Sequence, residues 1–332
     1  QHSNFLPRSP QGLSFGDIAI ETKKSFRMPR EEKLKVYVSP YQYNNTVVLR
    51  FLRQRHCFLS QFIGTPYASH LSMTPEIRIG ISGWTYSGWR GTFYPSKLPH
   101  AQELPYASRK VNSIEVNGTF YALQSPETYE KWYASVPDDF IFSIKASRFI
   151  THVRRLNNID EPLARFFKSG VLGLDEKLGP ILWQFPPNMK YDKNRFGRFL
   201  DLLAKHSRTG KKVLRHAIEV RNESFRNPQF IAQLKDHRAA LVMSHSSDAW
   251  PYFEEKTADF AYARLHGEGK LYSGGYGNRA LNDWAKKIRK WSCPQKPRDF
   301  FLYFDNDVKV RAPFDAMDLS SRLGLDKSLR AA

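Results

Sequence analysis

Three observations predict that most of this chain folds as an α/β barrel of the (β/α)8, TIM type. Short apolar runs alternate with helical stretches roughly eight times between residue 77 and the C-terminal region. The length, 332 residues, leaves room for a barrel of about 250 residues as one domain. No glycine-rich dinucleotide or phosphate loop follows any strand, as an open doubly wound sheet of the Rossmann kind would need.

Residues 77–82 alternate as a strand, and 101–110 carry helical spacing. Strand 113–116 precedes helix 126–135, which opens with Pro126 and Glu127, residues that a first helical turn tolerates or favours. Strand 140–145 leads to helix 161–168, strand 180–185 to helix 193–204, and strand 215–220 to helix 228–235. Strand 239–244 runs into a connection without clear patterning. Strands 260–265 and 299–304, followed by helices 278–288 and 312–323, complete the set.

Residues 1–72 lack this rhythm. Pro, Ser and basic residues interrupt them, so they read as an irregular extension, disordered or not native to the protein, before a barrel domain at 73–332. Met73 stands just before the first strand, where translation of the barrel alone would begin. The chain opens on Gln1 and shows no signal peptide.

A hydrophobic content of 41% and an aromatic content of 14% describe a globular protein. The formal net charge of +19 favours polyanionic partners or anionic small substrates. No protein partner is indicated. The best apolar stretch, 47–63, is broken by Arg50, Arg53, Arg55 and His56, so no membrane span is expected. Cys57 and Cys293 make no disulfide framework, and a cytoplasmic location is expected.

The most informative strand is Ala261-Tyr262-Ala263-Arg264-Leu265-His266-Gly267. With a period of two, Ala261, Ala263 and Leu265 suit the underside of a helix, while Tyr262, Arg264 and His266 form a polar column. Other strands repeat this, with polar residues in the inward phase near the C-terminal end: Glu115, Asn117, Lys145, Gln184, Glu219 and Arg221. Barrel enzymes keep their active sites at that end. In the eighth unit, Asn306 is expected inside above Phe304.

Glu115, Lys145, Glu219 and His266 are the expected catalytic groups. Trp84, Tyr86, Asn117, His152, Gln184, Arg221, Arg264 and Asn306 are the expected substrate-binding groups. The leading reading is an enzyme, of hydrolytic or phosphodiesterase-like type, acting on a phosphate-bearing or otherwise anionic substrate, nucleic acid included. Basic side chains outnumber carboxylates in the inner column, so Arg264 is expected to be partly solvated and free to clamp an anion. Two other readings stand beside it. A non-catalytic nucleic-acid binder would use the basic surface and the aromatic loop 83–95, with Arg90 for phosphate. A glycoside hydrolase would use Glu115 and Glu219 as acid and base, although Lys145, Arg221 and Arg264 would hold both ionised. No cofactor is predicted. Glu115, His152, Glu219 and His266 include metal-ligand types, but no close ligand spacing supports a divalent metal.

Several motifs in order carry a family resemblance: Gly83-Trp84-x-Tyr86-x-x-Trp89-x-Gly91-x-Phe93-Tyr94-Pro95, Glu115-Val116-Asn117-Gly118-Thr119-Phe120-Tyr121 and Phe142-Ser143-Ile144-Lys145-Ala146. Ile150-Thr151-His152, Gln184-Phe185-Pro186-Pro187, Glu219-Val220-Arg221, Arg264-Leu265-His266-Gly267 and Tyr303-Phe304-Asp305-Asn306 continue them. From about residue 76 to 325 the chain resembles the YecE-like proteins, the family of "domain of unknown function 72". That resemblance implies a TIM-type barrel and no established reaction. A likeness of that family to endonuclease IV barrels would imply metal-assisted phosphodiester cleavage, but the dense ligand set for a three-metal site is missing here. The chain departs from the family at Asp305-Asn306 and Asp315-Ala316, where Asn-Asn and Asn-Ala are usual.

A chain that starts at Met73 is expected to keep the melting temperature of the full chain. A calorimetric drop of more than about 5 °C would make the upstream segment integral to the fold.

Overall fold

The computed structural model describes residues 75–206, 208–209, 212–293 and 297–325. The extension expected over 1–72 lies outside them. The barrel strands are β1 (Ile77–Ser82), β2 (Ser113–Val116), β3 (Ile141–Lys145), β4 (Leu178–Gln184), β5 (His216–Glu219), β6 in two pieces (Ala240–Leu241 and Met243–His245), β7 (Phe260–Leu265) and β8 (Asp299–Phe304), and a short antiparallel pair, Arg208–Thr209 with Lys212–Val213, lies apart from them. The nine barrel segments form one sheet in which every pairing is parallel. The first piece of β6 pairs with β5 and the second with β7, so the two ends of the sheet meet across Val242 and the barrel closes. The single strand expected over 239–244 is therefore split, and the split is where the circle joins.

The helices are α1 (Glu103–Ser108), α2 (Gly118–Tyr121), α3 (Pro126–Ser135), α4 (Asp160–Lys168), α5 (Lys193–Lys205), α6 (Pro228–Asp236), α7 (Asn278–Trp291) and α8 (Arg311–Arg322). Their starts are chemically marked. The Asp192 side chain accepts from the Arg195 amide to cap α5, and Asn227 accepts from the Gln229 amide beside Pro228 to cap α6. In α7, Leu281, Trp284, Ala285, Ile288 and Trp291 repeat at helical spacing and are all buried.

Two apolar layers follow from strand alternation. Ala261, Ala263 and Leu265 of β7, with Phe300, Leu302 and Phe304 of β8, face the helices. Phe260, Tyr262, Phe301 and Tyr303 face the lumen with Leu182, Ala217, Ala240 and Val242. Two tyrosine hydroxyls in the lumen are paired with serines, Tyr303 with Ser113 and Tyr262 with Ser143, each at 2.7 Å. The column expected on β7 is thus inward, but the phase expected for β8 is reversed. Register against β7 places Tyr303 beside Arg264 and Phe304 beside Leu265. Phe304 packs outward near Tyr276, and Asp305, not Asn306, continues the inward column.

Gly80 makes room for this lumen. A Cβ at Gly80 would lie 1.9 Å from the Ser113 carbonyl oxygen and 3.3 Å from the Tyr303 ring. Gly80→Ala should destabilise by about 3 kcal/mol or more, beyond ordinary overpacking because backbone must move. Urea denaturation checks it; a change below about 0.5 kcal/mol would mean that β1 and β2 can part freely.

Candidate functional site at the barrel mouth

Above the lumen tyrosines sits the Arg264 guanidinium, delivered by β7 and fully buried. Its Nε donates to both Glu115 oxygens (3.1 and 3.0 Å), Nη2 to Glu115 Oε1 (2.8 Å) and Asp305 Oδ2 (2.9 Å), and Nη1 to Glu219 Oε2 (2.9 Å). Glu115 also accepts from Ser82 Oγ (2.8 Å) and Tyr262 Oη (2.7 Å). Glu219 accepts from Arg221 Nε (2.8 Å), whose guanidinium lies 3.8 Å from the Trp250 ring centre. His266 Nδ1 lies 2.9 Å from Asp305 Oδ2, and Nε2 lies 3.2 Å from Ser244 Oγ.

These contacts set the ionisation of the network. Burial alone would raise the Glu219 carboxyl, but Arg221 and Arg264 overcome it and hold it well below the usual range. Asp305 is held low in the same way by Arg264 and His266, again against burial. Burial, then the neighbouring Arg264 charge, pushes the His266 imidazole down.

The sequence expectation for these residues needs correcting. Arg264 is not partly solvated, and Glu115, Glu219 and His266 are enclosed with it and do not line the cavity above. Asp305 brings a third carboxylate, so Glu115, Glu219 and Asp305 balance Arg264, Arg221 and Lys145. A glycosidase pair needs one carboxyl raised and both reaching substrate. Here one guanidinium bridges Glu115 and Glu219, and neither is exposed. Among the described residues no three His, Cys, Asp or Glu side chains form a group that could hold a metal ion.

Over this network opens a cavity of about 810 Å³. Of the expected residues, Trp84, Tyr86, Asn117, Lys145, His152, Gln184 and Arg221 line it. Asn306 does not: its Nδ2 donates to Gly274 O and Asp315 Oδ2, both at 2.8 Å, tying the end of β8 to α8. Arg90 does not line the cavity either, and its Nη2 pairs with Glu103 at 2.9 Å. Within loop 83–95, Trp89, Phe93 and Tyr94 pack on one another and on Tyr106, while Trp84 and Tyr86 reach the cavity.

Lys145 ends β3, is 9% exposed, and has its Nζ 4.4 Å from the Phe120 ring centre. Burial, then repulsion from Arg264, lowers its ammonium to about 8, with Asp305, Glu115 and Glu219 opposing. His152 is lowered to about 4 by burial and by Lys145, Arg221 and Arg148, so it is neutral near pH 7. Asp307 is raised to about 6 by burial and by Asp305. Arg148, Phe120, Trp132, Tyr272 and Asp307 also line the cavity and were missed as site residues. Their positions after strand ends or on flanking segments were the available signal. Periodicity does not reach into the connections that carry Arg148, Tyr272 and Asp307, whereas Phe120 and Trp132 lie on α2 and α3.

A closed parallel barrel with a polar network at the C-terminal ends of its strands, and a cavity above it, defines a TIM-barrel protein with its candidate site at the usual end. The chain belongs to the family described as "Protein of unknown function DUF72", whose model matches residues 78–331. It is 26% identical over 262 residues to UPF0759 protein YunF of Bacillus subtilis (strain 168), across 70% of this chain and 89% of that protein. With UPF0759 protein YecE of Escherichia coli (strain K12) it shares 27% identity over 158 residues, 47% of this chain and 51% of that protein. A crystal structure of a DUF72 family protein from Thermotoga maritima MSB8 has the same fold, with a TM-score of 0.66 at 23% identity over 75% of this chain and 99% of that one. No helix among the described residues is long and apolar enough to cross a membrane.

Arg264→Met should destabilise the protein by about 3–5 kcal/mol, because it strands buried carboxylates. The pH dependence distinguishes this from lost packing. Glu219 and Asp305 have depressed folded values, so their contribution is present above the unfolded carboxylate range near 4 and is lost as pH falls toward those folded values. Without Arg264 both carboxyls rise, and the stability gap between wild type and variant should narrow as pH falls. Urea melts across that range check it; a constant gap would contradict the electrostatic account.

Proposed function

We propose that this chain is an enzyme acting on a small anionic compound bound in the cavity at the barrel mouth. The observation that carries the reading is the set of side chains lining the cavity, in which cationic and aromatic groups accompany Asp305 and Asp307. Lys145, Arg148 and Arg221 supply cationic groups, and Trp84, Tyr86, Phe120 and Trp132 supply aromatic surface. An anionic head would meet the guanidinium groups, whose planar donors suit phosphate or carboxylate, and an apolar body would lie on the rings. Arg148 is exposed beside the cavity, whereas Arg221 is held by Glu219 and Trp250 and is therefore preorganised. Lys145 ends β3 and lines the same cavity, which supports giving it the role of facing the reacting atoms.

A small molecule is favoured over nucleic acid because these cations gather in one cavity, rather than tracking along a surface as a phosphate backbone would require. The basic charge of the whole chain would then act by steering anions toward the mouth.

Inorganic phosphate or a small phosphate ester should raise the melting temperature of the wild type. Arg148→Ala should weaken phosphate binding about tenfold, roughly 1.4 kcal/mol, while leaving the unliganded melting temperature unchanged. Thermal denaturation with phosphate titration measures both. Absence of phosphate stabilisation, with DNA bound in a steeply salt-dependent way, would replace this reading with the nucleic-acid-binding one.

A further inference from the structure

We propose that Lys145 Nζ is an imine-forming amine, and that the substrate class is a small aldehyde or ketone carrying an anionic group. The inference rests on the anion-binding reading above and names the electrophile that the deepest cationic group of that cavity would meet.

Lys145 differs from the other charged groups of the mouth. Glu115, Glu219 and Asp305 are all bound to Arg264, and Arg221 is bound to Glu219. Among the described residues, Lys145 Nζ has neither an ion pair within 4.0 Å nor a hydrogen bond; its close contact is the Phe120 ring. Its backbone is fixed by the β3 pairings and by Thr119 Oγ1, which donates to the Lys145 carbonyl at 2.8 Å. An amine that is nearly buried, has no carboxylate within ion-pair distance and feels the charge of a buried guanidinium is a usual setting of a nucleophilic lysine. The lowering of its ammonium to about 8 agrees with that placement. A lysine serving only to hold the fold together would be expected to pair with a carboxylate or with carbonyls, as Lys177 does with the carbonyls of Tyr133 and Val136.

The chemistry balances without an oxidant or a cofactor. The neutral amine attacks the carbonyl carbon, the carbonyl π pair moves to oxygen, and a proton passes from nitrogen to that oxygen. The resulting carbinolamine hydroxyl takes a second proton and leaves as water, while the nitrogen lone pair forms the C=N bond of an iminium ion. Two proton carriers line the same cavity: Asp307, raised to about 6, and His152, neutral near pH 7. Arg148 and Arg221 remain for the anionic group.

The test uses pyruvate as probe, with sodium cyanoborohydride to trap the imine near neutral pH, and peptide mapping by mass spectrometry. Lys145 should be alkylated more than about tenfold faster than any other lysine, because a far larger fraction of it is unprotonated. Inorganic phosphate should slow that labelling, and acetone, which lacks the anion, should label Lys145 more slowly than pyruvate does. Lys145→Arg and Lys145→Met should lose the adduct. Labelling spread over other lysines with Lys145 untouched overturns the imine proposal, whatever the variants do. If phosphate still raises the melting temperature in that case, the anion-binding reading survives. Loss of that stabilisation as well would remove both.

Discussion

The guanidinium of Arg264 is the constraint on which the barrel mouth depends. Glu115 comes from β2, Glu219 from β5 and Asp305 from the end of β8, and all three turn inward toward one cation carried by β7. Glu115 and Glu219 could not be enclosed there otherwise, with Asp305 at the cavity edge beside them, since a buried carboxylate without a partner costs several kcal/mol to desolvate. The planar fork of an arginine offers donors in several directions at once, which a lysine cannot do from a point charge. The result is a group of carboxylates and one imidazole gathered around a cation that the chain itself supplies. The same contacts tie strands together across the lumen, so the network both closes the barrel and forms the floor of the cavity.

That floor determines what remains for chemistry. With its carboxylates committed to Arg264, the network leaves Lys145 without a direct counter-ion at the cavity edge. The Arg264 charge also acts on Lys145 through space, opposing the ammonium form that burial already disfavours. Under the proposed function, Glu115, Glu219 and His266 would act as positioning groups. Their effect on a substrate would pass through the field at Lys145 and the orientation of Arg221.

Much of the fold was legible in the sequence because strand alternation was clean. In β7, small and apolar residues alternate with Tyr262 and Arg264, and the inward column could be read directly. In β8 the run Phe300 to Phe304 is apolar or aromatic at every position, so it carries no phase; only register with β1 and β7 fixes it. Asp305 was missed inside for that reason, and with it the third carboxylate. Alternation also gives the side of a strand but not the depth, so Arg264 could be placed inward yet not known to be fully enclosed. The aromatic loop mixed two roles that sequence could not divide: Trp89 and Tyr94 are packing groups, whereas Trp84 and Tyr86 have cavity surface. Arg148 and Asp307 lie in connections, where no period exists to announce them.

At the mouth Lys145 is a desolvated amine with, among the described residues, no ion pair within 4.0 Å and no hydrogen bond, beside carboxylates that are bound to Arg264. The most direct test of that state is an NMR titration of the lysine side-chain signals, with Lys145 assigned by its loss in Lys145→Arg. The account predicts one lysine that titrates near 8, apart from the others, and moves upward when inorganic phosphate is added. A Lys145 signal that titrates with the surface lysines near 10.4, and does not respond to phosphate, would contradict it.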